Sequence, residues 1–130
     1  MPDIAPEITE STRMVLPAQT NHHGTLFAGS ALSMLADAAF TAASRHAREK
    51  VVLAGVRDMR FTAPIPVGSL FGISAQVISS GRSSMIVRVT GTREHPETGE
   101  TAQVVEGRFQ MVAVTADGRP KKIHPQETRP

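Results

Sequence analysis

A chain of 130 residues, 40% apolar and 20% charged, has the length of one domain and the composition of a globular one rather than a disordered one. Cysteine is absent, which excludes a disulfide framework, a thiol nucleophile and a cysteine metal site. The formal charge is only +2 and every Phe, Tyr or Trp position is Phe, so the chain lacks the aromatic-lined basic surface of a single-strand nucleic-acid binder, while its small positive excess suits a phosphate-bearing small molecule.

Residues 1–7 contain two prolines and read as a loose arm. The acidic and polar residues after Met1 are unlike a signal peptide. No apolar run reaches the ~18 residues of a membrane span, so the expected compartment is the cytoplasm. Residues 11–16 have strand character, and Pro17, without an amide to donate, stops the strand. Residues 18–24 form a polar loop. From 28 to 48 the spacing is helical, with Leu32, Leu35, Ala39, Ala43 and Ala47 on one stripe and Ser30, Ser33, Asp37, Thr41 and Ser44 on another. Alanine, the best helix former, dominates this segment. Arg45, His46 and Arg48 sit in the last turns, where cations suit the negative end of the helix dipole.

The rest alternates with period two. Residues 51–63 carry Leu53, Met59, Phe61 and Ala63 on one parity against Asp58 and Arg60 on the other. Residues 69–79, 84–94 and 101–115 form three further strands. They are separated by a Gly81-Arg82 turn and by the HPETGE turn at 95–100. Residues 117–130 are polar and proline-containing, a tail. The chain is thus a single α+β domain over 1–130, with its core at about 8–116. Both parities of 51–56 are apolar, which points to burial on two sides and so to an oligomer.

Most ordinary chemistries are missing. There is no GxSxG elbow, no glycine-rich phosphate loop and no HExxH pair, and the adjacent His22 and His23 are badly spaced for one metal. No metal site is expected. What remains is the segment TNHHGTLFAGSALSMLADAAF. Gly24 and Gly29 let backbone approach a ligand closely. The first turn of the helix offers amides with no intrahelical partner, suited to an oxygen that gains negative charge. Asp37 follows two turns in, and a carboxylate can activate water or attack a carbonyl carbon. Each residue also has a plain reading: Asn21 bonding its own loop, His22 and His23 at the surface, Gly29 in packing, Asp37 solvated. His46 and His124 read as helix-end and tail residues. The residues alone leave an ester or thioester site as one option.

The stretch NHHGTLFAGSALSMLADAAFTAASRHA resembles, without a gap, the signature of hotdog-fold acyl-CoA thioesterases, close to TNHxGTLFGGxxLxWMDEAAxIAASRHA. RFTAPIPVGSLF resembles that family's F-x-AP-x-x-VGD segment, and SSGRSSMIVRV its GR-[ST]-S-M-x-V strand, so the likeness spans roughly residues 11–115. The resemblance implies a hotdog fold, a long central helix wrapped by a five- to six-stranded antiparallel sheet. It implies hydrolysis of acyl-CoA to free acid and CoA, with CoA as substrate and no cofactor. It also implies homodimers joined edge to edge, assembling further into tetramers or hexamers, with the site between subunits.

On this likeness Asn21 orients water or substrate, and His22, Gly24 and Phe27 form the loop leading into the helix. The amide of Ala28 or Gly29 holds the carbonyl. Gly81, Arg82, Ser83 and Ser84 form a candidate CoA contact, because arginine and serine hydroxyls suit phosphate oxygens. Three positions depart from the pattern: Ala28 replaces a glycine, Ser69 an aspartate, and the usual helix acid falls on Ala36. The phenylacetate-pathway thioesterases read LADTAF, close to LADAAF here, and that alignment makes Asp37 the catalytic acid at the cost of one extra loop residue. Two other readings stand beside hydrolysis: an acyl-CoA-binding or regulatory hotdog protein, and a hydratase or dehydratase, against which the helix interior has no histidine.

Overall fold

Both periodicities become structure in a computed structural model, which describes residues 7–123. Strand β1 (Ile8–Met14) leads through a 3-10 turn (Pro17–Gln19) to helix α1 (Ala28–Ala47). Four strands follow: β2 (Lys50–Phe61), β3 (Leu70–Ser80), β4 (Ser84–Glu94) and β5 (Thr101–Val114). They form one antiparallel sheet in the order β1-β3-β4-β5-β2, with α1 packed on one face. The expected α+β architecture is present, with five strands. The start of the arm and the end of the tail, His124 included, lie outside the described residues. No described helix is long and apolar enough to cross a membrane.

The core forms where the alanine face of α1 meets the inward parity of the sheet. Ala31, Met34, Leu35, Ala38, Ala39 and Ala42 of the helix are buried against Phe71, Ile73, Met85, Val87, Val89, Phe109 and Met111. Burying one large apolar side chain stabilises by ~1.5–3 kcal/mol, so truncating the fully buried Phe71 to alanine is expected to cost ~3–5 kcal/mol. The buried arc centres on Leu35, and Leu32, expected on the buried stripe, is exposed. The helix ends at Arg48, which adopts the left-handed conformation (φ 52°) and donates its N–H to Ser44 O.

Two boundaries differ from expectation. β1 begins at Ile8 because it pairs with β3 from Ile8↔Gln76 onward. The polar segment after β5 does not run free: it turns at Gly118 (φ 84°), Lys121 N donates to Ala113 O and Ile123 N to Arg82 O. Ile123 is buried, the one apolar anchor in a segment read as tail.

The sheet has two unlike edges. β1 carries Glu10, Ser11, Thr12 and Arg13, exposed and polar. β2 is long and presents Val52, Leu53, Val56 and Phe61 to solvent. Irregularities between Leu53 and Gly55 and between Arg57 and Arg60 shift its register: the first brings Val56 to the face of Leu53, and the second restores the expected parity, with Phe61 opposite the buried Val105 and Arg60 opposite Glu106. Native edges are usually guarded by charge or proline. β2 has charge on one face only, since Arg57 and Arg60 pair with Arg108 and Glu106.

Candidate functional site

The loop before α1 is a small hairpin held by backbone bonds. Asn21 N donates to Thr25 O at 2.8 Å and Gly24 N to Asn21 O at 3.1 Å. Gly24 takes φ 76°, which a side chain would resist. The hairpin is tied to the APIPVG segment: Leu26 N donates to Ile65 O at 2.7 Å and Val67 N to Gly24 O at 2.9 Å. Two stretches singled out in the sequence are thus one structural unit.

Asn21 spends its side-chain oxygen on this unit. Oδ1 accepts from His23 N at 2.9 Å, Thr25 N at 3.3 Å and Thr25 Oγ1 at 3.2 Å. Its side-chain NH2 is the group left to meet a ligand. His22 and His23 stack against each other with centroids 3.9 Å apart and are exposed.

The helix begins without a side-chain cap. Phe27 occupies the N-cap position, where Ser, Thr, Asp or Asn would bond a first-turn amide. Phe27 N is taken by Gln19 O. Among the described residues, the amides of Ala28, Gly29 and Ser30 have no hydrogen-bond partner. Ala28 and Gly29 are exposed. Gly29 lies under the Phe27 ring, where a Cβ would stand 2.5 Å from Phe27 Cε2. A shallow cavity of about 360 Å³ opens at this helix start, lined by Arg13, Gln19, Phe27, Gly29, Ser30, Ser33 and Met34. Open donors at the positive end of a helix dipole can stabilise a developing oxyanion. Sequence reasoning found Ala28 and Gly29 but missed the Ser30 amide and Arg13. The apolar N-cap was the signal available for Ser30.

Asp37 stands on the exposed outer stripe of α1 with Ser33, Phe40 and Thr41, and Thr41 Oγ1 donates to its backbone carbonyl at 2.9 Å. The structure of one protomer does not bring it to the loop. Ala36, one step along, is partly buried and packs against the core. The flanks of the helix can be told apart. Arg45 Nη1 reaches Glu7 Oε1 at 3.3 Å and Thr9 Oγ1 at 3.4 Å on the β1 side, so Leu32 and Ala36, on the other flank, turn toward β2. There Leu53, Val56 and Phe61 pair with the core residues Met111, Phe109 and Val105 and so share the helix's face of the sheet. Together these side chains give the β2 flank of α1 and the neighbouring face of β2 an apolar surface.

The GRSS turn joins β3 to β4 and is well built: Gly81 N donates to Ser84 O, while Ser83 O and Arg82 O accept from Ala113 N and Ile123 N. Arg82 is exposed. The turn lies near the far end of α1, where His46 Nε2 is 3.4 Å from Ser80 Oγ. Twenty helical residues span ~30 Å, so one protomer does not unite this turn with the helix start. A second cavity, of about 470 Å³, lies between Pro66–Ser69 and the β4–β5 turn, with Arg93, His95, Glu97 and Glu100 in its wall. Burial lowers the His46 imidazole below its ordinary value. No cluster of three or more His, Asp or Glu positioned for a metal occurs among the described residues.

The family model described as thioesterase superfamily matches residues 23–100. An acyl-CoA thioester hydrolase of Zymomonas mobilis, itself uncharacterised, is 36% identical over 128 residues, 97% of this chain and 86% of that one. Among solved structures, an apo-hexameric acyl-CoA thioesterase superposes with TM-score 0.86 at 36% identity, covering 92% of this chain and 79% of the other. An acyl-CoA hydrolase from Staphylococcus aureus, solved with butyryl coenzyme A and coenzyme A, gives TM-score 0.85 at 28% identity, covering 93% and 76%. Structures of that enzyme also exist with an asparagine, an aspartate or a threonine replaced by alanine.

Proposed function

This chain belongs to the thioesterase superfamily, and from that premise we propose that it hydrolyses acyl-CoA thioesters to a free acid and CoA. The observation that carries the proposal is the uncapped start of α1, where Ala28, Gly29 and Ser30 offer amides with no partner among the described residues. The thioester carbonyl oxygen lies against these donors. Water adds to the carbonyl carbon, the oxyanion is held by the amides, and its collapse breaks the C–S bond and expels the CoA thiolate, which takes up a proton. Asn21, with its oxygen committed to the loop, presents its NH2 to the substrate. CoA enters as part of the substrate, and the reaction uses no metal or further cofactor.

The working unit is a homodimer joined through β2. The exposed apolar edge and the flank of α1 beside it are surfaces a monomer hides poorly, and similar structures are hexamers. Two-fold antiparallel pairing along β2 reverses the partner's helix. The partner's GRSS turn then comes alongside the helix start of the first protomer, and a substrate bridges the two, its phosphates at Arg82 of the second copy and its carbonyl at Ala28 and Gly29. This supports the assignment of Gly81–Ser84 to CoA, since a single protomer separates the two by the length of α1.

In the staphylococcal enzyme the replaced asparagine and aspartate are fifteen residues apart, and the aspartate and threonine seventeen. The same spacings counted from Asn21 fall on Ala36 and Leu53. The test of the function is thiol release from a panel of acyl-CoAs. Saturable hydrolysis above the buffer rate supports it. Absence of both hydrolysis and binding across the panel overturns it.

A further inference from the structure

We infer that this chain polarises its thioester without a carboxylate base from α1, so that it turns over acyl-CoA slowly and position 36 sets the rate. The inference rests on the acyl-CoA reading of the site. Ala36 packs against the core on the flank that faces β2, and Leu53 lies on the same face of the sheet, paired with the buried Met111. Neither side chain can take a proton.

The rest of this surface is no different. Leu32, Val56 and Phe61 complete it, all apolar. The charged groups of the elements around it point elsewhere. Arg57 and Arg60 are on the outer face of β2, opposite Arg108 and Glu106. Asp58 Oδ2 is 3.4 Å from Arg108 Nη1. Arg45 leans to β1, and His46 lies near Ser80 at the far end of the helix. Asp37 is one residue from Ala36, and one helical step turns a side chain by ~100°, which puts it on the exposed outer stripe. The structure thus retains the donors that can hold an oxyanion and carries apolar groups at the two positions that match the spacings of the staphylococcal aspartate and threonine, where a carboxylate and a hydroxyl could act on water.

The nucleophile is then solvent water or hydroxide. Addition to the carbonyl carbon and loss of the thiolate balance as in the assisted reaction, with the water's proton passing to bulk solvent. General-base help is worth ~10²–10⁴-fold in rate, and this is the factor the chain forgoes. Its bound acyl-CoA is correspondingly long-lived.

The test compares the full-length protein with Ala36→Asp and Ala36→Asn. Turnover is followed by thiol release and binding by calorimetry with a non-hydrolysable acyl-CoA thioether. Ala36→Asp is expected to raise kcat about 100-fold or more with KM within a few-fold. Ala36→Asn, equal in size but no base, is expected to show less than a tenth of that gain and reports whether the position tolerates the larger side chain. The wild-type kcat is expected to rise with hydroxide concentration, whereas that of Ala36→Asp levels off once its carboxylate is ionised. If Ala36→Asp melts like Ala36→Asn yet gains no rate, the inference fails. Loss of wild-type turnover on Asp37→Asn or His22→Ala also overturns it, by supplying the base, and leaves the acyl-CoA reading intact. If the thioether binds to none of the proteins and no thioester is cleaved, that reading fails and the inference with it.

Discussion

Replacing Gly29 by alanine separates the chemical role of the helix start from its structural one. The added Cβ would lie 2.5 Å from Phe27 Cε2 and 3.1 Å from Cδ2. Carbon contacts are favourable near ~3.5–4.0 Å, so the ring has to withdraw by roughly 1 Å. Phe27 is 55% exposed, and its ring can swing into solvent with little loss of packing. Alanine meanwhile gains up to ~1 kcal/mol over glycine in a helix, less in the first turn. The two effects nearly cancel, and stability is expected to stay within about 0.5 kcal/mol of wild type. Activity should not stay. Removing one oxyanion donor costs ~10²–10³ in kcat, and a methyl group that crowds the donors without deleting one is expected to cost about 10-fold. Thermal melts paired with initial rates of thiol release at saturating acyl-CoA decide the matter. An unchanged kcat would show that the carbonyl oxygen does not sit at these amides. A Tm lower by ~5 °C or more would show that the Phe27 ring belongs to the packing of the fold.

Asn21→Ala removes three accepted bonds in a partly exposed loop and is expected to cost ~1–2 kcal/mol, whereas Asn21→Asp retains the acceptor and the stability but loses the NH2. Full kcat in Asn21→Asp, read by the same thiol assay, would reduce Asn21 to a loop-forming residue. Burial holds the His46 imidazole below its ordinary value of 6.5, so the unfolded state binds protons more readily; the stability this residue allows is complete above that value and is lost as pH falls through the folded one. Urea titrations at stepped pH are expected to show a shallower acid decline in His46→Gln, and an identical decline would exclude the residue as a source. Val56→Lys places a charge on the exposed apolar face of β2 and is expected to lower the molar mass measured by light scattering, with an unchanged mass ruling β2 out as the joining edge.

The architecture was legible because local signals agreed with one another. Alanine spacing over α1 and period two over β3, β4 and β5 each had one burial solution, and Phe71, Val87 and Phe109 sit where the alternation put them. β2 was harder. Its two irregularities come from pairing geometry, which alternation alone does not encode. The return of residues 117–123 was hidden because a single isoleucine, Ile123, anchors an otherwise polar stretch. Within the site, Gly24 and Gly29 were marked by their residue type and Phe27 only by the family likeness, and the structure gives each a local geometric reason. Arg13 was not marked, since it reaches the helix start only through the β1–β3 register. The relation of the GRSS turn to the loop was beyond sequence for the same reason. It depends on which end of a helix each segment meets.

The segment from Asn21 to Ala47 contains both the strongest likeness and its main departure, Ala36. A helix whose N-cap is phenylalanine forgoes ~1 kcal/mol that serine or aspartate would give. An edge strand with exposed Val52, Leu53 and Val56 forgoes the usual protection against pairing. Neither concession is compensated among the described residues of the protomer. On the proposed reading a bound carbonyl oxygen answers the first and a second copy the second. Ala36 lies on the flank of α1 that faces β2. On the proposed reading the site is lined there by alanine and leucine, and the gain in kcat of Ala36→Asp measures how far the missing carboxylate limits turnover.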